Sequence, residues 1–491
     1  MLTLINTNRM QPAIAPVGLE YVASAAKAAG MDVEILDLGL VGDPDRALQD
    51  YFAGHSPRLV GLSFRNIDDC FWPSAQWFAP DLAKTVKTLR GMTAAPIVLG
   101  GIGFSIFAER LVAHSGADFG IRGDGEAAIV SLYRELTADG CRLSAGRNGR
   151  FEQVPGLIYT TKGKITANPP AWPQSPSIPS RRDLVDNVTY FHKGGQIGFE
   201  TKRGCNRLCI YCADPLAKGT ALRLRPPQEV ADEVAGLLDQ GIDVLHTCDA
   251  EFNIPRQHAV AVCEEMIRRG LGERVRWYAY LSVTPFDQEL AGLMRKAGCV
   301  GINFTTDAAC PEMLKAYRQP YTREAIVQAV RLCREGGMAV MTDMLLGGPG
   351  ETPQTLAETI AFMKQVGPDG VGSGVGVRIY PDTEMERIVR TEGPLETNSG
   401  IRRKYDGPVD LFQPTFYISP QLGPRPARLV KDLIAGDGRF FEPMEEVPTG
   451  QAGHADSKDH NYNDNTELTD AIAAGQRGAY WHIMLKLRCL Q

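Results

Sequence analysis

No stretch of this 491-residue chain approaches the ~20 uninterrupted apolar residues that a membrane helix needs, so membrane insertion is not expected. Neither sign of charge prevails: 52 Lys and Arg stand against 58 Asp and Glu, a net charge of −6. That balance argues against a protein whose main task is coating nucleic acid, and no nucleic-acid partner is expected. The opening MLTLINTNRMQ lacks the charged-then-apolar pattern of a signal peptide, and its LTLIN reads as a short strand. Eleven cysteines, an odd number in a long chain, disfavour a secreted disulfide framework, and a cytoplasmic protein is the expectation. What is present is ordinary globular composition, 44% hydrophobic and 22% charged, with length for about three domains at ~100–200 residues each.

Residues 1 to about 140 alternate short β-branched runs with amphipathic stretches. LTLIN (2–6), VEILDL (33–38), RLVGLSF (58–64), APIVLGG (95–101) and ADFGIRG (117–123) read as strands, with helical patterns such as Val17–Ala29 between them. This rhythm predicts βαβ units, a parallel sheet, and ligands beyond the carboxyl ends of the strands. Glycine-rich turns close two of the strands, GGIGFS (100–105) and GDGE (123–126), and let a backbone approach a ligand closely. From 141 to 196 the regularity fades, and NPPAWPQSPSIPSRRD (168–183) reads as a linker wrapping a surface. A second βα rhythm runs from 197 to about 400: helical stripes halt at Gly241, Gly298, Gly336 and Gly367, each followed by a strand. With IGFETK (197–202) and RWYAYLSV (276–283), about six strands result, fewer than a full barrel, and a partial (β/α)6 barrel is expected. Residues 401–491 form a small C-terminal capping segment, polar from Gly450 to Asn465 and helical from about Leu468 to Leu487. The fold class is therefore α/β, a Rossmann-like unit followed by a partial barrel.

Three cysteines, Cys205, Cys209 and Cys212, stand together in CNRLCIYC, directly after the first barrel strand. Zinc normally takes four ligands, and no nearby Cys or His supplies a fourth. A four-iron cluster can use three cysteines, leaving one iron open to a small molecule. A loop after a barrel strand places that open iron at the catalytic face, so spacing and position favour a 4Fe–4S cluster over three packed thiols. Cys299, Cys310 and Cys333 have irregular gaps and read as core residues, and His246 and His258 lack a partner at metal spacing.

CNRLCIYC resembles the C-x3-C-x-aromatic-C signature of radical SAM enzymes. The resemblance implies that S-adenosylmethionine (SAM) chelates the open iron, that one electron cleaves its sulfonium to a 5′-deoxyadenosyl radical, and that Tyr211 lies against the adenine. It makes Asp249 and Glu251 of TCDAEFNIP (247–255) candidates for the methionine amino group, although the family's usual Gly-Gly-Glu is absent there. Gly347 and Gly348 of LLGGPGET (345–352) and Arg378 of VRIYPDT (377–383) resemble segments that cradle the ribose and the methionine carboxylate. Arg378 would pair with that carboxylate through a charge-assisted hydrogen bond.

The order of the units is similar to that of radical SAM enzymes with a cobalamin-binding domain, and the resemblance covers nearly residues 1–420. It implies that Gly100, Gly101, Gly103, Gly123 and Glu126 hold cobalamin. The D-x-H-x-x-G motif that supplies a lower histidine ligand is missing, so the lower face is expected to lack histidine. Arg65 or Asn66 of LSFRNIDDC (62–70) is expected to face the cobalt instead, a cationic neighbour disfavouring a sixth ligand.

Such cofactors imply C-methylation of an unactivated carbon, using SAM and methylcobalamin, on a small-molecule or natural-product substrate. An external electron donor such as flavodoxin or ferredoxin follows from the same resemblance. Alternatives are rearrangement, cyclisation or oxidation without methyl transfer, polar methyl transfer from methylcobalamin, and a cobalamin or redox sensor. Trp277, Tyr278, Tyr280, Asn303, Thr305 and Asp307 fall on or just after strands at the barrel mouth; Tyr278, Tyr280 and Asp307 are the candidate catalytic pocket. Core packing is the competing role for Trp277 and Tyr278, since adjacent strand residues point opposite ways. Tyr417, Tyr480 and Trp481 are candidates for a lid.

Overall fold

Aliphatic runs separated by amphipathic segments fold, in a computed structural model, into two successive parallel sheets. The structure describes residues 1–138, 151–174, 176, 182–446, 458–459 and 461–488. Parts of the proline-rich linker and of the polar tail, with Cys141 and Cys489, lie outside the described residues.

The N-terminal unit is built on β1 (Leu2–Asn6), β2 (Val33–Asp37), β3 (Leu59–Ser63), β4 (Ile97–Gly100) and β5 (Phe119–Ile121), all parallel in the order β2-β1-β3-β4-β5. Every residue of β1 is buried because helices cover both faces of the sheet. Leu2 and Leu4 pack with Leu19 and Leu132 of the helices Val17–Ala28 and Glu126–Thr137. Ile5 turns to the opposite face, with Leu48, Leu82 and Leu111. This is the period-two alternation of a strand.

Residues expected to lie within a connecting linker extend this sheet instead. β6 (Leu157–Thr161) and β7 (Lys164–Ala167) form an antiparallel hairpin on the edge of β5. The hairpin escaped the periodicity because β7 is exposed and carries little apolar content. Further along, Arg182 is buried between the two units, 2.5 Å from Glu20 of the first and 2.5 Å from Glu233 of the second. Glu233 also accepts from Tyr21 at 2.7 Å and from Arg225 at 2.6 Å. Buried charges are tolerated when they are paired and hydrogen-bonded, and here the paired network itself joins the units.

The second unit starts with β8 (Ile197–Phe199), then a short antiparallel pair, β9 (Lys202–Arg203) and β10 (Arg223–Leu224), which brackets the cysteine loop. It continues with β11 (Val244–Thr247), β12 (Arg276–Leu281), β13 (Cys299–Asp307), β14 (Ala339–Leu346) and β15 (Gly370–Val375). These six strands, β8 and β11 to β15, are parallel in chain order and form the partial barrel. At Gly376, with φ +108°, the chain leaves the barrel. It enters a small antiparallel sheet of β16 (Val377–Arg378), β17 (Ile401–Arg403) and β18 (Thr415–Tyr417). β19 (Phe440–Phe441) then pairs with β15, adding a seventh strand.

The tail, expected to carry one helical stretch, forms two helices, Thr466–Ala473 and Tyr480–Arg488, separated by Gly475 and Gly478, both at positive φ. The second helix reaches both edges of the open barrel. The site where a Cβ would stand on Gly195, just before β8, lies 3.6 Å from Ile483, and Arg488 lies 4.1 Å from the centre of the Phe441 ring. No helix among the described residues is long and apolar enough to cross a membrane.

Candidate functional site

Gly204, at φ +85°, starts the cysteine loop; a Cβ there would stand 2.1 Å from the Ala221 carbonyl, so only glycine fits. The Cys205 amide donates to the Gly219 carbonyl at 3.2 Å, and the Cys212 amide to the Cys209 carbonyl at 3.3 Å, which curls the loop on itself. Burial pushes all three thiols up, Cys209 to about 12, and mutual repulsion adds to this at Cys209 and Cys212. Thiolates so crowded need a cationic centre, which is the chemistry a cluster supplies.

Acidic groups surround the loop. The Tyr211 hydroxyl donates to the Asp307 carboxylate, 2.8 Å from each oxygen. Burial pushes Asp307 up to about 7 and Glu251 likewise to about 7. Glu251 accepts from the Thr305 hydroxyl at 2.8 Å through one oxygen, and its other oxygen is buried without a partner. That orphaned acceptor fits a ligand ammonium. Asp249 is otherwise engaged: it accepts from the Thr201 amide at 2.8 Å and the Lys202 amide at 3.2 Å, with the Lys202 ammonium 3.8 Å away. It pins the end of β8 rather than offering a free oxygen.

At the end of β14, Gly347 adopts φ +94° and its amide donates to Glu351, while a Cβ on Gly348 would stand 2.2 Å from the Tyr317 hydroxyl oxygen. Glu351 is fully buried, is pushed up to about 7 by burial, and keeps one oxygen without a partner. The glycines of LLGGPGET stand out in the sequence, whereas this carboxyl, two residues beyond Pro349 in the same motif, gives no signal of its burial there.

Three expected residues lie elsewhere. Arg378 follows Gly376 into the antiparallel sheet, and its guanidinium meets Asp68 of the N-terminal unit at 2.9 Å and the Leu411 carbonyl at 3.0 Å. Nε, Nη1 and Nη2 each have a partner there, so the guanidinium is committed to the N-terminal unit and the small sheet rather than to a methionine carboxylate. Tyr278 is buried against the C-terminal helix: its hydroxyl meets His482 Nδ1 at 2.8 Å and its ring packs on Trp481, the centroids 6.1 Å apart. Tyr417 is buried, bonded to Glu392 at 2.9 Å, and does not form a lid.

Between the units lies a cavity of about 740 Å³. Arg65, Asn66, Gly100, Gly101, Gly123 and Glu126 line it from the N-terminal side. A Cβ on Gly100 would meet nothing within 4 Å, whereas one on Gly101, at φ +107°, would stand 2.5 Å from the Phe64 carbonyl. The first leaves a bare surface for a flat ligand and the second makes the turn that exposes it. Gly103 does not line the cavity; it packs its short helix onto Arg65 and Asn66, where a Cβ would come within 2.8 Å. Burial opposes ionisation of Glu126, yet Arg203 at 2.8 Å holds its carboxyl below the usual range.

The Arg65 guanidinium faces the cavity and donates to the Asn66 side-chain oxygen Oδ1 at 2.9 Å; the lining from the N-terminal unit contains no histidine. The barrel contributes His246, Cys248 and Tyr280. His246, which lacks a partner at metal spacing in the sequence, lines the cavity with its ring 5.1 Å from that of Tyr280, and burial lowers its pKa to about 4. The tail supplies Asn461, Tyr462 and Tyr480, of which only Tyr480 was anticipated.

Residues 199–363 match the model of the Radical SAM superfamily, and residues 5–133 match that of the B12 binding domain. The chain is 28% identical to tryptophan 2-C-methyltransferase of Streptomyces laurentii, over 98% of this chain and 95% of that protein. Its structure is similar to that of the radical S-adenosylmethionine methyltransferase TsrM from Kitasatospora setae with tryptophan and a SAM analogue bound. The TM-score is 0.88 at 31% identity, covering 100% of this chain and 98% of that one. A second TsrM structure, with cobalamin and a 4Fe–4S cluster bound, gives a TM-score of 0.85 at 29% identity, covering 100% and 99%.

Proposed function

Because the chain belongs to the cobalamin-binding radical SAM methyltransferases, we propose that it transfers a methyl group from SAM to a carbon of a small aromatic acceptor of the tryptophan kind. The observation that carries this reading is the cavity shared by both units, with Arg65 on one wall and Tyr280 and Tyr480 beside it. When bound, the cluster supplies a SAM-binding iron and cobalamin supplies a methyl carrier.

Each group has residues that fit it. Cys205, Cys209 and Cys212 would hold the cluster, being three crowded thiols with no disulfide among the described residues. Glu251, through its orphaned oxygen, together with Tyr211 and the Gly347–Gly348 turn, would hold SAM. Gly100, Gly101, Gly123 and Glu126 would hold cobalamin, with Arg65 and Asn66 toward its lower face. Aromatic residues on the cavity wall, Phe71, Tyr280 and Tyr480, would orient a planar acceptor and exclude water. An indole C2 is electron-rich, so for such an acceptor methyl transfer needs no prior hydrogen abstraction. The electron donor would be a small one-electron carrier such as flavodoxin or ferredoxin, and the compartment the cytoplasm.

The test uses anaerobically purified, cluster-reconstituted protein loaded with cobalamin and given methyl-labelled SAM, tryptophan and a reductant. Labelled methyl on the indole with S-adenosylhomocysteine is the expected result. Added 5′-deoxyadenosine would mark a radical route, and its absence a polar one. Deoxyadenosine with no methylated product would assign a rearrangement or oxidation and end the methyltransferase reading.

A further inference from the structure

The Gln319 side chain spans from the cysteine loop to the carboxylate that anchors Tyr211. Its Nε2 donates one proton to Cys209 Sγ at 3.4 Å and the other to Asp307 Oδ2. Both amide protons are thus spent, and the nitrogen cannot turn away from the sulfur without abandoning a buried carboxylate. The distance suits an amide donor to a thiolate, whose sulfur is larger than an oxygen acceptor.

The backbone on both sides is shaped to make this contact. On β13 the register against β14 shifts between Thr305 and Asp307, an irregularity that re-aims a side chain. Asp307 itself sits at φ +57°, a left-handed conformation unusual for a residue with a side chain. Opposite, Arg318 sits at φ +62° directly before Gln319. It ends the short helix Pro311–Ala316, and the Gln319 amide then donates back to the Leu314 carbonyl at 2.8 Å. Asp307, at one end of the bridge, and Arg318, next to the other, thus both hold a left-handed backbone that aims the two side chains at each other.

We infer that Gln319 is a redox-positioning residue, its amide holding the Cys209 thiolate and setting the potential of the cluster. The inference rests on the cluster assignment made above. A hydrogen bond to a cluster sulfur stabilises the added negative charge of the reduced state, so it raises the reduction potential. One electron, from a low-potential carrier protein or a chemical reductant, enters the cluster, and the donated N–H offsets part of that charge at Cys209. Tyr211 is steadied by the same bridge, because the carboxylate that accepts its proton is held in place by the other Nε2 hydrogen.

The experiment is a redox titration of the reconstituted full-length protein, followed by visible absorption and EPR, for wild type, Gln319→Leu and Gln319→Glu. The expected result is unchanged iron content with a more negative potential in Gln319→Leu. Gln319→Glu keeps the shape while replacing a donor with an acceptor, and should be more negative still. A variant with full iron content and the wild-type potential would overturn the inference. If Gln319→Leu loses the cluster, Gln319→Glu carries the comparison; loss from both would make Gln319 an assembly residue and also overturn it. Failure of the wild type to take up iron is a different result, which would remove the cluster reading itself.

Discussion

Arg378, three residues past the last (β/α) strand, donates through Nε to Asp68 Oδ2 at 2.9 Å, and the two side chains are 2% and 0% exposed. The pair joins the barrel's exit to the loop after β3 in the N-terminal unit, the loop that supplies Asp69 and Phe71 to the cavity wall. Further donors of the guanidinium satisfy the Ile379 carbonyl at 2.5 Å and the Leu411 carbonyl at 3.0 Å.

Replacing Arg378 by Met should therefore act on stability before it acts on ligand binding. It leaves a buried carboxylate and buried carbonyls without a donor, a loss of about 3–5 kcal/mol for breaking one side of a buried pair. Thermal and urea denaturation of the variant would measure it. Full stability with weakened SAM affinity would instead return Arg378 to the methionine carboxylate.

Single replacement of Cys205, Cys209 or Cys212 by Ser should abolish the visible absorption of the cluster and all SAM cleavage, because a three-thiolate site has no spare ligand. The fold should survive. Cys209 and Cys212 are only partly buried, in a loop shaped by backbone hydrogen bonds and by Gly204. Iron content and far-ultraviolet circular dichroism, measured together, separate the two effects; retained iron in any one variant would exclude that cysteine as a ligand.

How much of this was legible depends on range along the chain. The cysteine loop could be read because its chemistry sits within eight residues, and the two sheets because their strands alternate with glycine-stopped helices. Arg378 could not be placed, since its direction is set by the positive φ of Gly376 two residues earlier and its partner is 310 residues away. Asp307 was found as a polar residue at a strand end, but its contacts with Tyr211 and Gln319 depend on a register shift that no periodicity shows. Asn461 and Tyr462 reach the cavity from a polar tail with no repeating pattern, and only the fold brings them there.

Arg65 offers a separation between site and scaffold. Its side chain bonds Asn66, its next neighbour, and otherwise faces the cavity, so Arg65→Leu should leave thermal stability within about 0.5 kcal/mol, as for surface changes away from packed features. Removing the cation should change the visible spectrum of bound cobalamin and make its cobalt easier to ligate from below. Cobalamin titration of wild type, Arg65→Leu and Arg65→Lys checks this, with Lys expected to restore the charge but not the guanidinium plane. Identical spectra in all three would remove Arg65 from the cobalamin face.

Asp69 gives the protein a pH dependence whose sign can be worked out. It lies on the cavity wall beside the tail, bonded to Ser74 and Asn461, and burial pushes its carboxyl from 3.8 up to about 6, with Asp68 next door adding to the rise. A raised folded pKa means that the folded state keeps a proton the unfolded state has lost. Stability from this group is therefore full below pH 4, falls as pH rises from about 4 to about 6, and stays low above that. Two pKa units set an upper bound of about 3 kcal/mol on the deficit at pH 7.5, and the hydrogen bonds that favour the ionised form lower it. Asp69→Asn removes the ionisation and keeps the shape, so its Tm relative to wild type should climb between pH 4.5 and 7.5. Denaturation at those two pH values decides it. A difference that does not change with pH would mean that Asp69 is solvated well enough to ionise freely, and that the tail does not seal this side of the cavity.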